Sequence, residues 1–491
     1  GEILIRNMNP KKVFEELLSA VDYLEVVNRD ECKVSGISYD SRDVGPGQAF
    51  VAIRGKNFDG HDFIKEAYDR GARAVFGEKK LGREVDLPGP YVRVKNSRKA
   101  LAALSSIFYE DPTGNLFVVG VTGTNGKTTT VHLIRAALGE NSTNVISTIG
   151  PAGVNSPKEP VTTPESPDVH REAFRTLADG RRNFIVEVSS HGLAMERVGS
   201  VDFDVGVFTN LTRDHLDFHG TMEDYGQAKL KLFRGLSRDG LALVNGDDDF
   251  SPEVIRATRA KTITFGLDSS SDVYGDRVKR TRDGIVFDAH TPWGDGRFSL
   301  NYFGLYNAYN ALSAIAIGLV NGRTMDKLED TLSNSRFLPG RMERLSTENG
   351  ADVYIDFAHN PGGLRESLSE LNHLYSSVSV IFGCGGQSDR GKRPEMGEIA
   401  VSLADNAIIT TDNPKSEDPR RIIDEIEEGI PPGLPYQVIV DRKKAIRTGL
   451  EDLSPGEALL IAGKGHERYQ VFEDEVVEYS DLEFVKEIIN S

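Results

Sequence analysis

Cysteine is scarce in this sequence, which has only Cys32 and Cys384 in 491 residues. Two cysteines so far apart do not build the framework of a small disulfide-rich secreted domain. Long apolar runs are also missing, since no stretch approaches the roughly 20 apolar residues of a membrane-spanning helix. We therefore expect a cytoplasmic protein that does not insert into a membrane.

Positive charge is also in short supply, with 58 Lys and Arg against 75 Asp and Glu and a formal net charge of −17. This balance argues against a general nucleic-acid-binding protein. A local site, and not the overall field, must therefore hold any anionic substrate. The chain is too long for a single hydrophobic core, so we expect about three domains.

A glycine-rich loop between a predicted strand and a predicted helix is the strongest local signal. The apolar run over 116–121 predicts a buried parallel strand, and the apolar periodicity over 131–138 predicts a helix. Gly123 and Gly126 lie between them, where glycine lets the backbone approach an anion and the helix start attracts phosphate. The loop is shorter than a full Walker pattern, because Val121 stands where that pattern has its first glycine.

The residues after Gly126 supply the side chains that would bind phosphate and metal. Lys127 is expected to reach the outer phosphates of a nucleotide, and the Thr128 hydroxyl to bind Mg²⁺. The alternative is a glycine-rich turn with a lysine of no function, and the flanking strand and helix argue against it. The segment therefore predicts a phosphate-binding loop.

The apolar runs and turn-forming residues divide the chain into three α/β units. The segment 111–114 and the hinge-like 338–341 give the boundaries, so we expect units at 1–112, 113–337 and 338–491. The first is a small α/β domain. The central unit is a P-loop domain with a doubly wound, mostly parallel sheet, and the C-terminal unit is a second, Rossmann-like α/β sheet.

Polar residues follow the predicted central strands, at the edge where such sheets bind ligands. Glu187 stands where a nucleotide enzyme would hold Mg²⁺. His215 lies at a comparable position. By itself it would be a helix-start histidine bonded to its own loop, but the phosphate loop and Glu187 favour metal or phosphate contact. Lys229, on the predicted helix 222–233, has no local signal, because helical lysines are usually solvated.

For Asn307 and Ser41, the local pattern alone allows two interpretations. Asn307, in the first turn of an apolar helix, could read a base or cap the helix. Ser41 could bind an anion or lie in a solvated turn.

In the third unit, polar loops at the ends of several predicted strands indicate a ligand face at one edge of the sheet. These loops span 356–361, 383–394, 411–419 and 463–468.

Ordered motifs along essentially the whole chain resemble those of the Mur ligase family. They are GTNGKTTT (123–130), TTPE (162–165), EVSSHGL (187–193), FTNLTRDHLDFHG (208–220), YGQAKLKLF (225–233), GLYNAYN (304–310), LPGRME (338–343), DFAHNP (356–361), SDRGKRP (388–394), DNPKSEDP (412–419) and GKGHE (463–467). The chain is most similar to the ligases that add the third amino acid to UDP-N-acetylmuramoyl-dipeptide. Archaeal pseudomurein peptide ligases are also similar, and folylpolyglutamate synthetases share the nucleotide loop but less of the flanking domains.

The resemblance implies an ATP-dependent reaction between a UDP-linked peptide precursor and a free amino acid. ATP phosphorylates a peptide carboxylate, and an amine attacks the acyl phosphate to give an amide, ADP and phosphate. Two Mg²⁺ ions and Lys127 would offset the crowded negative charge. We also expect a monomer, and the net charge argues against a nucleic-acid partner.

The resemblance also implies roles for individual residues. Thr128 and Glu187 are expected to bind one Mg²⁺ and His215 the second, with Lys229 carbamylated so that it too serves the second site. Lys127, Lys229, His215 and Glu187 are thus the catalytic candidates. The ATP contacts are expected at Gly123, Thr124, Asn125, Gly126, Lys127, Thr128, Thr129, Asn307, Arg341, Asp356 and His359. The substrate contacts are expected at Ser41, Thr162, Thr163, Ser189, Arg197, Asp412, Asn413, Lys415, Gly463 and Glu467.

The sequence departs from the family pattern at the amino-acid pocket. Relatives that add diaminopimelate usually carry arginine where this chain has Lys415, and a second arginine where it has Ser388. An enzyme that adds lysine would present carboxylates, for which Asp412, Glu417 and Glu467 are candidates. Lysine, a diamino acid such as meso-diaminopimelate, and a pseudomurein-type acceptor therefore stay open. A nucleotide switch is the alternative of another class, but it would not need the third unit's loops to face the nucleotide.

Overall fold

The computed structural model describes residues 10–55, 58–82, 86–149 and 161–490. Its three large sheets draw their strands from separate parts of the sequence. We keep the predicted domain limits as a proposal and refer to residues 1–112, 113–337 and 338–491 as the first, central and third units. Among the helices of the described ranges, not one combines the length and apolarity that a bilayer crossing would require.

The first unit is built on a five-stranded sheet of order β2-β7-β6-β5-β4, parallel except for the β2–β7 pair. Its strands are β1 (Lys12–Val13), β2 (Tyr23–Val27), β3 (Lys33–Val34), β4 (Ile37–Ser38), β5 (Ala49–Val51), β6 (Ala74–Gly77) and β7 (Tyr91–Val94). Its helices are α1 (Phe14–Ser19), α2 (Ile64–Asp69) and α3 (Ser97–Phe108).

The central unit has a nine-stranded sheet of order β16-β15-β14-β13-β12-β11-β8-β10-β9, parallel from β9 to β14 and antiparallel in β14–β16. Its strands are β8 (Phe117–Thr122), β9 (Thr143–Ile146), β10 (Asn183–Glu187), β11 (Val205–Phe208), β12 (Leu241–Asn245), β13 (Lys261–Gly266), β14 (Val273–Thr281), β15 (Gly284–Thr291) and β16 (Gly294–Leu300). Its helices are α4 (Lys127–Leu138), α5 (Ser166–Ala178), α6 (Ser190–Ala194), α7 (Leu216–His219), α8 (Met222–Gly235), α9 (Ser251–Ala257), α10 (Tyr306–Val320) and α11 (Met325–Ser333).

The third unit has a six-stranded sheet of order β17-β18-β22-β19-β20-β21, with only β17 antiparallel to its neighbour. Its strands are β17 (Glu343–Ser346), β18 (Asp352–Asp356), β19 (Val378–Phe382), β20 (Asn406–Ile409), β21 (Gln437–Val438), β22 (Ala458–Ala462), β23 (Tyr469–Val471) and β24 (Val476–Glu478). Its helices are α12 (Pro361–Leu374), α13 (Lys392–Leu403), α14 (Pro419–Glu427), α15 (Arg442–Glu451) and α16 (Asp481–Ile489).

The predicted α/β class is confirmed, and burial explains the apolar runs. Val118, Val119 and Val121 of β8 are fully buried because α4 and α10 cover one face of the central sheet and α8 the other. Strands that are parallel and buried on both faces read as continuous apolar runs. The carboxyl ends of the central and third sheets face one cavity, which holds most of the predicted site.

Candidate active site

The phosphate loop needs glycine at both of its predicted positions. Gly123 has φ 154°, and a Cβ there would collide with the Thr209 hydroxyl. Gly126 has φ 82°, and a Cβ there would lie 2.7 Å from Oδ1 of Asn310. Val121 is buried inside β8, which runs on to Thr122, so the position of the first Walker glycine lies within the strand and the loop is short.

Lys127 lies across this loop. Its Nζ donates to the carbonyl oxygens of Gly123 at 3.1 Å and Thr124 at 2.8 Å. Burial lowers the pKa of Lys127, and no carboxylate lies within ion-pair distance of it in the described residues. This ammonium is therefore available to an anion bound in the cavity.

Thr128 and Glu187, the residues predicted to bind the first Mg²⁺, are in direct contact. The Thr128 hydroxyl donates to Oε1 of Glu187 at 3.0 Å, while Oε2 accepts from Ser147 Oγ at 2.9 Å and from Thr148 N at 3.0 Å. Arg341 contacts the same hydroxyl with Nη2 at 3.1 Å. Across the described ranges, no group of three or more His, Cys, Asp and Glu side chains forms a metal site by itself. The donor set fits Mg²⁺ that takes its remaining oxygens from phosphate and water.

His215 begins α7 in a left-handed conformation with φ 55°, and its ring lines the cavity. The ring packs edge-on against His191, with the centroids 4.9 Å apart. Burial lowers the pKa of His215 to about 3, so the imidazole is neutral at physiological pH. A neutral imidazole is the form that binds a metal ion.

Lys229 is 1 % exposed, so the usual solvated role of a helical lysine is wrong here. Its Nζ donates to the Gly123 carbonyl at 2.7 Å and lies 4.3 Å from the centroid of the Tyr225 ring. Burial, and then the nearby Lys127 ammonium, lower the pKa of Lys229 well below its ordinary value. Within the described chain no carboxylate forms an ion pair with it. Such a site favours an uncharged or modified amine.

The cavity has a volume of about 510 Å³ and is lined by the central and third units. Asp356 accepts from Met342 N at 3.1 Å and from Ser367 Oγ at 2.7 Å, and burial raises its pKa. Asn307 donates to the Phe303 carbonyl at 2.7 Å, so its amide is held within its own segment. The predicted residues that line the cavity are Thr124, Asn125, Gly126, Lys127, Thr128, Thr129, Thr162, Glu187, His215, Asn307, Arg341, Asp356, His359 and Glu467.

The predicted peptide-binding residues form a second group beside Glu187. Thr163 Oγ1 donates to the Glu187 carbonyl at 2.8 Å and to Ser189 Oγ at 3.1 Å. Arg197 donates to the Thr163 carbonyl at 3.1 Å. Ser41 is not part of this group, because it lies in the first unit, as the buried residue of the turn Ser41–Asp43, and does not line the cavity.

The predicted amino-acid loops meet around a buried lysine, Lys464. Its Nζ donates to Oδ1 of Asn413 at 2.9 Å and to Oε2 of Glu467 at 2.8 Å, and it lies 3.8 Å from Oδ1 of Asp412. Gly463 has φ 111°, and a Cβ there would lie 2.5 Å from the Asp412 carboxylate. Asp412, Asn413, Gly463 and Glu467 are therefore brought together as predicted.

Lys415 lies next to this cluster with φ 53°, and its backbone N–H donates to the Val471 carbonyl at 3.0 Å. Its side chain is half-buried and has no ion-pair partner in the part of the chain that the structure describes. The neighbouring Glu417 is already paired, because the buried guanidinium of Arg393 donates to it at 3.0 Å.

Asp214, Glu366 and Lys464 are charged residues at or near the cavity that the sequence did not single out. Asp214 and Glu366 line the cavity, and Lys464 lies behind Glu467. Asp214 and Lys464 stand inside motifs that carry the family resemblance, which was the available signal. Nothing in the local pattern distinguishes Glu366 from a solvated helical glutamate.

Three family descriptions match successive parts of the chain. They are "Mur ligase family, catalytic domain" over residues 33–109, "Mur ligase middle domain" over 121–318, and "Mur ligase, glutamate ligase domain" over 340–465. A UDP-N-acetylmuramoyl-L-alanyl-D-glutamate–2,6-diaminopimelate ligase of Geobacillus thermodenitrificans is 41% identical, covering 91% of this chain and 93% of its own. The chain belongs to the Mur ligase family. The predicted resemblance is thus confirmed.

Other Mur ligases are similar to this chain over nearly its full length. The ligase of the same name from Bacillus cereus is 38% identical and covers 96% of this chain and 97% of its own. A solved structure of a ligase with that name superposes with a TM-score of 0.66 at 28% identity, over 98% of this chain and 99% of that chain. This Mur ligase is accordingly an ATP-dependent amide-forming enzyme. The middle-domain match contains the phosphate loop, and the glutamate-ligase match contains Asp356.

Proposed function

We propose that this Mur ligase joins a diamino acid to the peptide of a UDP-linked cell-wall precursor. ATP would transfer its terminal phosphoryl group to the peptide carboxylate and leave as ADP. The amine then attacks the acyl carbon, and phosphate leaves the tetrahedral intermediate as the amide forms. The observation that carries this proposal is the shared cavity, which the phosphate loop lines from one side and residues 356–359 and 466–469 from the other. Nucleotide binding alone would not require the second side.

The cations at the cavity support the first step. Lys127 and Arg341 lie beside Thr128, and neither has an ion-pair partner in the described residues. They would hold the outer phosphates and stabilise the charge that develops during transfer. Thr128 and Glu187 would hold one Mg²⁺, which when bound neutralises phosphate charge and polarises the transferred group.

We also propose that Lys229 is carbamylated. The neutral amine would add to CO₂, forming a nitrogen–carbon bond and releasing one proton, so that an ammonium becomes a carboxylate. The buried setting without a carboxylate partner and the lowered pKa support this, because a neutral amine is the nucleophile in that addition. The carbamate and His215 would then hold the second Mg²⁺.

The charges around Lys415 support an amino acid with an anionic distal group. The three carboxylates that could have met a lysine ammonium already contact cations: Glu417 contacts Arg393, and both Glu467 and Asp412 contact Lys464. Among the cations of these described loops, Lys415 and Arg468 form no ion pair, and Lys415 is the one that stands next to Asp412 and Asn413 in the chain. The relatives named above add 2,6-diaminopimelate, whose second carboxylate Lys415 would bind as a point charge in place of an arginine fork.

A ligation assay with a panel of amino acids tests the function. UDP-N-acetylmuramoyl-dipeptide, ATP and Mg²⁺ are mixed with meso-diaminopimelate, L-lysine or no amino acid, and the amide product is detected by mass spectrometry. We expect product and amino-acid-dependent phosphate release with diaminopimelate. Phosphate release that does not depend on the amino acid would indicate a nucleotide switch. Product only with a UDP-peptide that lacks muramic acid, or only with a folate, would indicate a pseudomurein or a folylpolyglutamate ligase.

Lys415 gives the sharper test of the amino acid. Lys415→Ala should raise the KM for diaminopimelate about 10- to 100-fold, the usual value of a charge-assisted hydrogen bond, with little change in kcat. Lys415→Arg should keep the low KM. Lys444→Ala, at an exposed lysine on α15, is the matched control. An unchanged KM in Lys415→Ala would exclude this contact.

The predicted partners and location complete the proposal. One chain supplies every residue of the cavity, so we propose that the enzyme acts as a monomer. We also propose a cytoplasmic reaction, where ATP is available.

A further inference from the structure

Asp214 is a buried carboxylate between the central and third units that has no role in the steps proposed above. The residue is 3 % exposed. Its Oδ1 accepts from the backbone N–H of His215 at 2.9 Å, and Nε2 of the His215 ring lies 3.7 Å from its Oδ2. The Asp214 side chain thus holds the left-handed backbone of His215 from the central unit's side.

Apart from His215, the described residues that form hydrogen bonds or ion pairs with the Asp214 side chain belong to the third unit. Asn360 Nδ2 donates to Oδ2 at 3.0 Å, His359 Nε2 lies 3.5 Å from Oδ2, and Lys392 Nζ lies 3.8 Å from Oδ1. Asn360 is the N-cap of α12 and Lys392 is the first residue of α13. The N-cap side chain of α12 and the ammonium at the start of α13 therefore converge on a single carboxylate of the other unit.

Asn360 also joins the third unit to the phosphate loop. Asn360 Nδ2 also donates to Oδ1 of Asn125 at 3.0 Å. A Cβ on Gly362 would lie 2.8 Å from the Thr212 hydroxyl, so glycine is what lets the two backbones meet. Docking of the third unit therefore engages the phosphate loop and the His215 loop together.

Helix α13 extends this connection to the amino-acid loops. Lys392, at its start, faces Asp214, and the next residue, Arg393, donates to Glu417 at 3.0 Å and to the Gly385 carbonyl at 3.1 Å. One rigid helical turn thus joins the loop that carries Lys415 to the carboxylate that holds His215.

We propose that Asp214 is the positioning residue that couples docking of the third unit to the geometry of the phosphate site. With Asn360, His359 and Lys392 in contact, the carboxylate is fully partnered and fixes His215 toward the cavity. When the third unit moves away, the carboxylate loses these partners and His215 loses its fixed position. This inference rests on the proposed function, because it gives docking a role in the ligation reaction.

A reciprocal exchange across the interface tests the proposal. Asn360→Asp keeps a good N-cap for α12 but sets two carboxylates against each other. Asp214→Asn keeps a side-chain oxygen for the His215 N–H. The double variant restores one amide and one carboxylate with their positions exchanged. Asn96→Asp, at the N-cap of α3 in the first unit, is the matched control.

Two readouts separate this proposal from the proposed function. We expect Asn360→Asp to lower kcat about ten-fold or more through like-charge repulsion, and the double variant to recover much of the loss. Small-angle scattering with an ATP analogue should give a larger radius for Asn360→Asp than for the parent, the double variant and Asn96→Asp. A parent without ligase activity overturns the proposed function alone. Equal radii in all four proteins, or a double variant no more active than Asn360→Asp, overturn the role of Asp214.

Discussion

Replacing Glu366 by glutamine should stabilise the protein above neutral pH. This carboxyl lies on α12 at the cavity wall, and burial raises its pKa from the ordinary 4.5 to about 7, with the Asp356 and Glu370 carboxylates adding to the effect. The folded chain therefore binds the Glu366 proton more tightly than the unfolded chain does. Stability from this group is fully present below about pH 4.5 and is lost as the pH rises to about 7.

The size of the effect follows from the same values. A difference of about 2.5 pH units, at about 1.36 kcal/mol per unit, gives roughly 3 kcal/mol of stability lost at about pH 8. Glutamine cannot ionise, so Glu366→Gln avoids this loss. A folding unit of 150–250 residues gains about 2–4 °C in Tm per kcal/mol, so we expect a rise of roughly 6–12 °C at about pH 8 and little change at about pH 4.5.

Differential scanning calorimetry without nucleotide measures this difference. The parent and Glu366→Gln are compared at both pH values, and Glu451→Gln, at an exposed position on α15, serves as the control. The reasoning is refuted if Glu366→Gln shifts Tm equally at the two pH values, or if it lowers Tm at the higher one. The first result would show that packing, and not ionisation, sets the effect of the substitution.

Four further predictions concern the reaction and the core. Lys127→Ala should lower kcat by about 10²- to 10³-fold or more in the ligation assay, because it removes a fixed charge from the transferred phosphoryl group, and an unchanged rate would exclude that role. Chelation of divalent ions should stop phosphate release and added Mg²⁺ should restore it, whereas release that continues in chelator would contradict the Thr128–Glu187 site. Carbon-13 NMR with labelled bicarbonate should give a carbamate signal that is absent in Lys229→Arg, and a signal that survives would assign it elsewhere. Phe208→Ala, at a fully buried ring of β11, should cost about 3–5 kcal/mol in urea unfolding, and a cost under about 1 kcal/mol would contradict its place in the core.

The phosphate loop could be predicted from the sequence because its determinants are local. The buried strand, the two glycines and the helix lie within 23 residues, from 116 to 138. Glu187 and His215 could be predicted as neighbours of the loop, since the carboxyl ends of parallel strands share one edge. Their contacts follow from strand order, which the alternation of strands and helices strongly constrains.

The contacts of the buried charged groups could not be predicted, because their partners are far apart in sequence. Asp214 meets Asn360 across 146 residues, and Lys229 meets Gly123 across 106. From the sequence, Glu417 is a candidate partner for a lysine substrate, but in the folded chain Arg393 already donates to it. Local pattern gives the type and approximate edge of such residues, whereas the tertiary structure decides which charges are already neutralised.

The distribution of unpaired charge is what suits this acidic protein to an anionic substrate. The chain has a net charge of −17, so its overall field repels a nucleotide. In the described residues, Lys127 and Arg341 line the cavity without a carboxylate in ion-pair distance, and burial lowers the pKa of both. Two half-buried cations without ionic partners are costly in the free protein, and a triphosphate would supply the missing negative charge. The affinity for the nucleotide would therefore come from relief of this local excess of positive charge, against the sign of the molecule as a whole.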